Sequence, residues 1–117
     1  MLGDVAGLPE LDVARVRRWC EAQVPAEHRD QMRVGCEVTP RHLTIVELRP
    51  PWQEPNDGEW TRLIVARLYF RRAEGVWKLY WSDSNQRMHA YDRCAPAAHV
   101  DVLLREIDDD PTGIFWG

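Results

Sequence analysis

Aromatic and basic side chains alternate along three consecutive predicted strands, and they are the main candidate for a binding surface. In chain order they are Arg67, Tyr69, Lys78, Tyr80, Arg87, His89 and Tyr91. Every second side chain of a strand points to the same face of a sheet, so these rings and cations are predicted to lie side by side. Such a face can stack nucleic-acid bases and neutralise phosphates, or contact a protein partner. It can equally be a set of cross-strand pairs that needs no ligand.

Acid–base catalysis would centre on the short predicted strand that carries His89. Asp83 and Asp92 flank this strand, and a carboxylate hydrogen-bonded to an imidazole can orient the ring. His89 and Tyr91 would also point the same way. The sequence offers no glycine-rich phosphate loop and no motif for an activated serine or cysteine. A small enzyme centred on His89 is therefore our third hypothesis, and we assign no catalytic residue.

The histidines and cysteines are too dispersed to predict a metal site. The four histidines are His28, His42, His89 and His99, without HxH or HExxH spacing. The three cysteines are Cys20, Cys36 and Cys94, without a CxxC pair. Metal sites in sequence commonly follow such spacings, so we predict no metal and no cofactor. An odd number of dispersed cysteines gives no disulfide framework and favours a reducing compartment.

The composition sets further limits on the class of protein. We expect one domain over residues 1–117, with residues 1–8 flexible. Lys plus Arg number 15 against 19 Asp plus Glu, and the resulting net charge of −4 argues against general adhesion to nucleic acid. The first residues lack the basic and apolar regions of a signal peptide. No apolar run approaches the roughly 20 residues that cross a bilayer, so we expect a cytoplasmic protein without membrane contact.

Hydrophobic periodicity predicts a helix followed by two strands. The apolar stripe of the helix consists of Val13, Val16, Cys20 and Val24. Pro9 suits the first helical turn, and residues 32–38 alternate as a half-buried strand does. Residues 42–49 form the second strand, in which the apolar residues do not keep strict alternation. A bulge or burial on both faces would explain this irregularity.

A loop follows at residues 50–60, with the sequence PPWQEPNDGEW. Its length exceeds that of a typical connection, which makes it a functional candidate. We therefore add Trp52 and Trp60, which bracket the loop, to the candidate binding residues. The alternative is that both indoles pin the loop to the body of the domain, since tryptophan is usually well buried.

The next three predicted strands complete the sheet. The predicted core face of the third and fourth strands consists of Ile64, Ala66, Leu68, Phe70, Trp77, Leu79 and Trp81. Leu63 and Val65 would share the aromatic–basic face. In the fifth strand Met88 and Ala90 should point inward, which leaves Arg87, His89 and Tyr91 outward.

A second helix is predicted from Pro96 onward, and its core stripe is Val100, Leu103, Leu104 and Ile107. We interpret the run Asp108–Asp110 as solvated charge. The C-terminal tail, residues 111–117, contains Ile114, Phe115 and Trp116 and is too apolar to remain in water. We expect it to dock near Leu63 and Val65, beside the loop at residues 50–60, or on a second subunit.

Several motifs resemble those of a known family. They are LRPPW at residues 48–52, ARLYF at 66–70, WKLYWSDSNQRMHAYD at 77–92 and DPTGIFWG at 110–117. Together they resemble a family of small bacterial proteins catalogued only as a domain of unknown function. The resemblance covers nearly the whole chain and implies a free-standing single domain. It brings no ligand, activity or catalytic residue.

We expect an α+β fold, in which a five-stranded antiparallel meander carries an N-terminal and a C-terminal helix on one face. The sequence does not determine the function. Our first hypothesis is a non-enzymatic interaction or accessory module that binds an unknown protein, or a second copy of itself, through the aromatic–basic face. The alternative is nucleic-acid or nucleotide binding on the same face.

Overall fold

The computed structural model describes residues 7–50 and 60–116. The helices are α1 (Glu10–Ala22) and α2 (Asp101–Asp109), with a short 3-10 turn at Ala26–His28. The strands are β1 (Arg33–Val38), β2 (His42–Arg49), β3 (Thr61–Arg71), β4 (Val76–Ser82) and β5 (Met88–Ala90). They pair antiparallel in the order β1-β2-β3-β4-β5. The predicted α+β fold with a five-stranded meander and two flanking helices is confirmed.

Both helices pack on one face of the sheet and form a single core with it. Val16 and Cys20 of α1, and Leu103 and Ile107 of α2, are buried in one cluster with Leu43, Ile45, Leu68, Trp77 and Leu79 of the strands. Leu8, which the sequence places in a flexible N-terminus, is also buried in this cluster. Neither helix of the described residues is long and apolar enough to cross a membrane.

The irregular alternation of β2 comes from burial on both faces, since Leu43, Thr44, Ile45 and Val46 are all buried. A bulge is present as well, in the neighbouring strand β3. Ile45 pairs with Ala66 but Val46 pairs with Ile64, so Val65 is an extra residue of β3. Because the bulge changes the phase of β3, Val65 joins the core and Ile64 does not. The expectation that Ile64 faces the core and Val65 the opposite face is therefore wrong.

The second helix begins later than Pro96 because the preceding residues pair with the sheet. Ala97 and Trp77 exchange two backbone hydrogen bonds, at 2.7 and 3.0 Å. The backbone N–H of Val100 then donates to the Asp12 carboxylate at 3.3 Å. Asp12 thereby accepts one of the N–H groups that a helix start leaves without an intrahelical partner.

The C-terminal tail docks on the domain itself, against α2 and Tyr91 rather than over Leu63, which stays 48 % exposed. Most of the loop beside which docking was also expected, residues 51–59, lies outside the described residues. Asp110 accepts hydrogen bonds from the backbone N–H groups of Phe115 at 3.0 Å and Trp116 at 2.9 Å. Phe115 packs against Tyr91, and Trp116 donates from its indole to the Ile107 carbonyl. The Asp110 carboxylate therefore holds the tail in place by hydrogen bonds. The interpretation of Asp108–Asp110 as a run of solvated charge is wrong for Asp110.

Candidate interaction face

Three rings cross β2, β3 and β4 on the sheet face opposite the helices. His42 packs edge-on against Tyr69 with ring centroids 4.8 Å apart, and Tyr69 packs edge-on against Tyr80 at 4.9 Å. We call His42, Tyr69 and Tyr80 the aromatic ladder. All three rings are partly exposed, and within residues 7–50 and 60–116 neither helix covers them. Such edge-to-face pairs stabilise the sheet beyond the area they bury.

One guanidinium group stands beside the aromatic ladder. Arg67 donates from Nε to the hydroxyl of buried Thr44 at 2.8 Å, which fixes the guanidinium between β2 and β3. Burial and the nearby Arg67 charge lower the pKa of His42, because both disfavour a second positive charge. The ladder is therefore neutral near neutral pH.

A second cation of this face is already paired. Arg62 donates two hydrogen bonds to the Glu37 carboxylate, which lowers the pKa of Glu37 and raises the pKa of Arg62. Bidentate pairs of this kind are the strongest among exposed ion pairs. The face thus combines polar contacts that are satisfied internally with half-exposed rings.

Lys78 lies on this face but is not a free cation. Its side chain is buried, and Nζ donates to the Tyr91 carbonyl at 3.4 Å and to Asp92 Oδ1 at 3.2 Å. The ammonium group therefore ties β4 to the segment that follows β5. The structure brings Arg67, Tyr69, Lys78 and Tyr80 together as predicted, with Lys78 in an anchoring position.

The fifth strand has the opposite phase to the one predicted. Tyr80 of β4 pairs with Ala90, and Trp81 pairs with His89. Arg87, His89 and Tyr91 consequently belong to the side of the sheet that carries Trp81, and Tyr91 is buried against Phe115. The hydroxyl of Tyr91 donates to Glu106 at 2.7 Å, and burial with this bond raises its pKa to about 12. Tyr91 is therefore a core residue.

His89 forms a local cluster with two neighbours. Its Nε2 lies 2.7 Å from Asp83 Oδ2, and its ring stacks on Trp81 at 4.6 Å. Asp83 Oδ1 accepts from the backbone N–H groups of Asn85 and Arg87 at 2.8 and 2.9 Å. The hydrogen bond with His89 first, and these backbone bonds after it, lower the pKa of Asp83. The predicted Asp–His pair thus exists with Asp83, whereas Asp92 bonds Lys78. The carboxylate also holds the β4–β5 turn, which gives the pair a structural role.

Of the two tryptophans that bracket the loop, the structure describes Trp60. Trp52 lies outside the described residues. Trp60 lies next to the guanidinium of Arg33, whose Cζ is 4.7 Å from the ring centroid, a cation–π contact near the start of β3. The aromatic ladder crosses the sheet elsewhere, on β2, β3 and β4.

Two important positions were not singled out from the sequence. His42 starts β2 and alternates with Thr44, so the period of two could have placed it on the ladder face. Asp12 is nearly inaccessible to solvent, at 2 % exposure, and accepts the indole N–H of Trp77 at 3.0 Å. It lies four residues before Val16 on the apolar stripe of α1, a spacing that could have marked it as buried.

No curated protein and no solved structure matches this chain. The sequence model of one family, by contrast, matches residues 6–117, which is nearly the entire chain. The match includes both helices, all five strands and the tail that Asp110 holds. The chain belongs to the family described as Domain of unknown function (DUF3024).

Proposed function

We propose that this protein is a non-enzymatic interaction module that binds a partner protein through the aromatic ladder and Arg67. The observation that carries the proposal is the edge-to-face series His42–Tyr69–Tyr80 on the face opposite both helices. Tyrosine and arginine are enriched among the residues that dominate protein interfaces. The rings of the ladder are half-exposed and already packed against one another, so little side-chain conformational entropy would be lost on binding.

Two cations of this face are already bonded within the protein, which favours a protein over a nucleic acid as the ligand. Arg62 is paired with Glu37, and Lys78 is bonded to the Tyr91 carbonyl and to Asp92. Phosphate binding requires several unpaired cations in a row. Within the described part of β3, Arg67 and Arg71 are left without an ion pair on this face, on either side of Tyr69. The net charge of −4 points the same way.

The proposed setting is the cytoplasm. The thiols of Cys20, Cys36 and Cys94 form no disulfide among the residues that the structure describes. Burial raises the pKa of Cys20 to about 12 and that of Cys36 to about 11. Free thiols persist in reducing compartments, and thiols with such high pKa values are poor nucleophiles. A role as an adaptor there needs neither a cofactor nor a metal ion.

The test places a photo-crosslinking amino acid at Tyr80 and, as a matched control, at Glu74 in the exposed β3–β4 turn. We expect irradiation of cells to give one discrete protein adduct from position 80 that position 74 does not give. An adduct with a second copy of this chain would identify the partner as the protein itself. A nucleic-acid adduct, or the same adducts from both positions, would contradict the proposal. Thermal melting of both variants establishes that each remains folded.

A further inference from the structure

The sheet face that carries the aromatic ladder is basic, although the chain as a whole has a net charge of −4. Residues opposite each other in an antiparallel pair share a face, and so does every second residue along a strand. By this register, the charged residues of the described strands on the ladder face are Arg33, Glu37, Arg62, Arg67, Arg71 and Lys78. All of them except Glu37 are cations, so positive charge is concentrated on this face.

The two carboxylates at this face are each matched by one of its cations. Glu37 accepts two hydrogen bonds from Arg62, and Asp92 Oδ1 lies 3.2 Å from Lys78 Nζ. Each of these pairs has no net charge, so the remaining cations are in excess. None of the remaining cations forms an ion pair with any residue of 7–50 or 60–116, and they are Arg33, Arg67 and Arg71.

Arg67 is held in place by a bond that uses neither of its Nη groups. Its Nε donates to the Thr44 hydroxyl at 2.8 Å. In the register, Arg67 lies between Thr44 on β2 and Tyr80 on β4, and Tyr69 follows it by two residues on the same face. A carboxylate accepts two N–H groups of a guanidinium side by side. Arg67 can therefore bind a carboxylate through its Nη groups, next to the tyrosine rings.

Arg71 lies on the other side of Tyr69 along β3, at an exposed position. Four residues of an antiparallel strand span about 13 Å, which is the backbone distance between Arg67 and Arg71. The turn that follows β3 contains Arg72 and Glu74, whose charges cancel. A ligand that contacts both arginines across Tyr69 must therefore carry negative charge at two places, and it is larger than a single side chain.

The inclination of the rings favours the surface of a protein over a run of stacked bases. The rings of His42 and Tyr69 are inclined by 66°, and those of Tyr69 and Tyr80 by 67°. Neighbouring rings thus do not present parallel faces, on which successive bases of a single strand would stack. The half-exposed rings can instead cover apolar parts of a partner's surface between its carboxylates.

We infer that the partner of the aromatic ladder is an acidic protein surface, in which Arg67 binds one carboxylate and Arg71 binds a second. The inference rests on the proposed function and adds the chemistry of the partner. Since the chain has a net charge of −4, the negative charge that outweighs this face lies on the rest of the molecule. The rest repels an acidic partner, so complementary charge also selects the orientation in which the two proteins meet.

The test selects ligands for the full-length protein from a random peptide library. The face variant is Arg67→Gln/Arg71→Gln, and the matched control is Arg18→Gln/Arg105→Gln, which removes the same charge from exposed positions on the helices. We expect the selected peptides to be rich in Asp and Glu. Their affinity should fall at least about tenfold on the face variant and less than about twofold on the control, because charge-assisted hydrogen bonds are lost only on the face variant.

A double-mutant cycle keeps the test valid if the face variant is less stable than the wild type. Changing the acidic residues of a selected peptide to amides should lower its affinity for the wild-type protein at least about tenfold and for the face variant less than about twofold. Equal losses on both proteins would show that the peptide carboxylates do not contact Arg67 and Arg71, which overturns the inference.

Tyr80→Ala separates failure of this inference from failure of the proposed function. Peptides that lose affinity for Tyr80→Ala, but lack acidic residues or bind the face variant unchanged, would overturn the acidic partner and leave the ladder as an interface. Peptides that bind both variants as well as the wild type would overturn both proposals, and so would oligothymidylate that binds more tightly than any peptide. A dimer that only the face variant dissociates, seen by analytical ultracentrifugation, would overturn the inference by making a second copy the partner.

Discussion

Two carboxylates in this protein bind similar donors in opposite surroundings. Asp12 lies on the buried side of α1, where it accepts the indole N–H of Trp77 and the backbone N–H of Val100. Asp83 lies on the β4–β5 turn, where it contacts the His89 imidazole and accepts two backbone N–H groups. Both join a ring nitrogen to the backbone. Only Asp12 is shielded from water, with 2 % exposure.

The difference in solvent exposure between Asp12 and Asp83 indicates which of the two carboxylates stabilises the whole fold. A buried donor that loses its acceptor keeps the full cost of desolvation, whereas an exposed donor turns to water. Asp12 connects α1, β4 and the start of α2, elements that are far apart in sequence. Asp83 connects residues of a single turn. We expect the first to control global stability and the second to control local order.

The largest effect is expected for Asp12→Ala. This change leaves the Trp77 indole and the Val100 N–H buried without an acceptor, so it should lower the free energy of unfolding by about 3 kcal/mol. Asp12→Asn retains one acceptor oxygen and should cost clearly less. Urea denaturation followed by tryptophan fluorescence measures both. A loss below about 1 kcal/mol for Asp12→Ala would remove the distinction between the two carboxylates.

An intermediate effect on stability is expected for Asp110→Ala, since the hydrogen bonds of Asp110 to the tail are only partly buried. The backbone N–H groups of Phe115 and Trp116 would lose their acceptor, and alanine tolerates the φ of 41° at this position less well than aspartate does. We expect a loss of about 2 kcal/mol. The neighbouring Asp109→Ala, at an exposed position, should change stability by less than about 0.5 kcal/mol. Equal melting temperatures for the two variants would show that the tail is held by its apolar contacts alone.

The smallest effect is expected at Asp83, as a local change with pH. Hydrogen bonds from His89 and from the backbone hold the pKa of Asp83 below its ordinary value of 3.8. A lowered pKa in the folded state stabilises the turn above that ordinary value, and this contribution is lost as the pH falls through the folded pKa. The protection factor of the Arg87 amide against hydrogen exchange should therefore fall at acidic pH before those of the core amides do. Asp83→Ala, which removes the acceptor oxygen, should give that loss of protection at neutral pH with little change in melting temperature. Exchange that stays coupled to global unfolding would contradict a local role.

The sequence predicted what depends on local periodicity. The stripe of α2 and the alternation of Leu68 with Tyr69 were sufficient to place the core and the ladder face. The phase of β5 could not be predicted, because Arg87, His89 and Tyr91 alternate with Met88 and Ala90 equally well in either orientation. The turn before β5 decides between them, and it includes Gln86 at a φ of 62°. Glutamine gives no signal of that conformation.

Contacts between distant residues were also beyond prediction. Asp12 and Trp77 are separated by 65 positions, and an aspartate in a first helical turn is equally well explained by the helix dipole. Asp110 was misinterpreted for a similar reason, since its bonds to the tail depend on a left-handed turn rather than on charge. The β3 bulge could not be placed from the sequence, because pairing and not composition determines which strand has the extra residue.

The bridge between Trp77 and Ala97 has a consequence for how copies of the protein behave at high concentration. β5 pairs with one end of β4, through Tyr80 to Ser82, and the bridge occupies the other end at Trp77. Two separate stretches of chain thus cap this edge of the sheet, and it offers little free backbone to a strand from another molecule. The opposite edge is β1, which carries Arg33 and Glu37, and charged edge strands resist edge-to-edge aggregation.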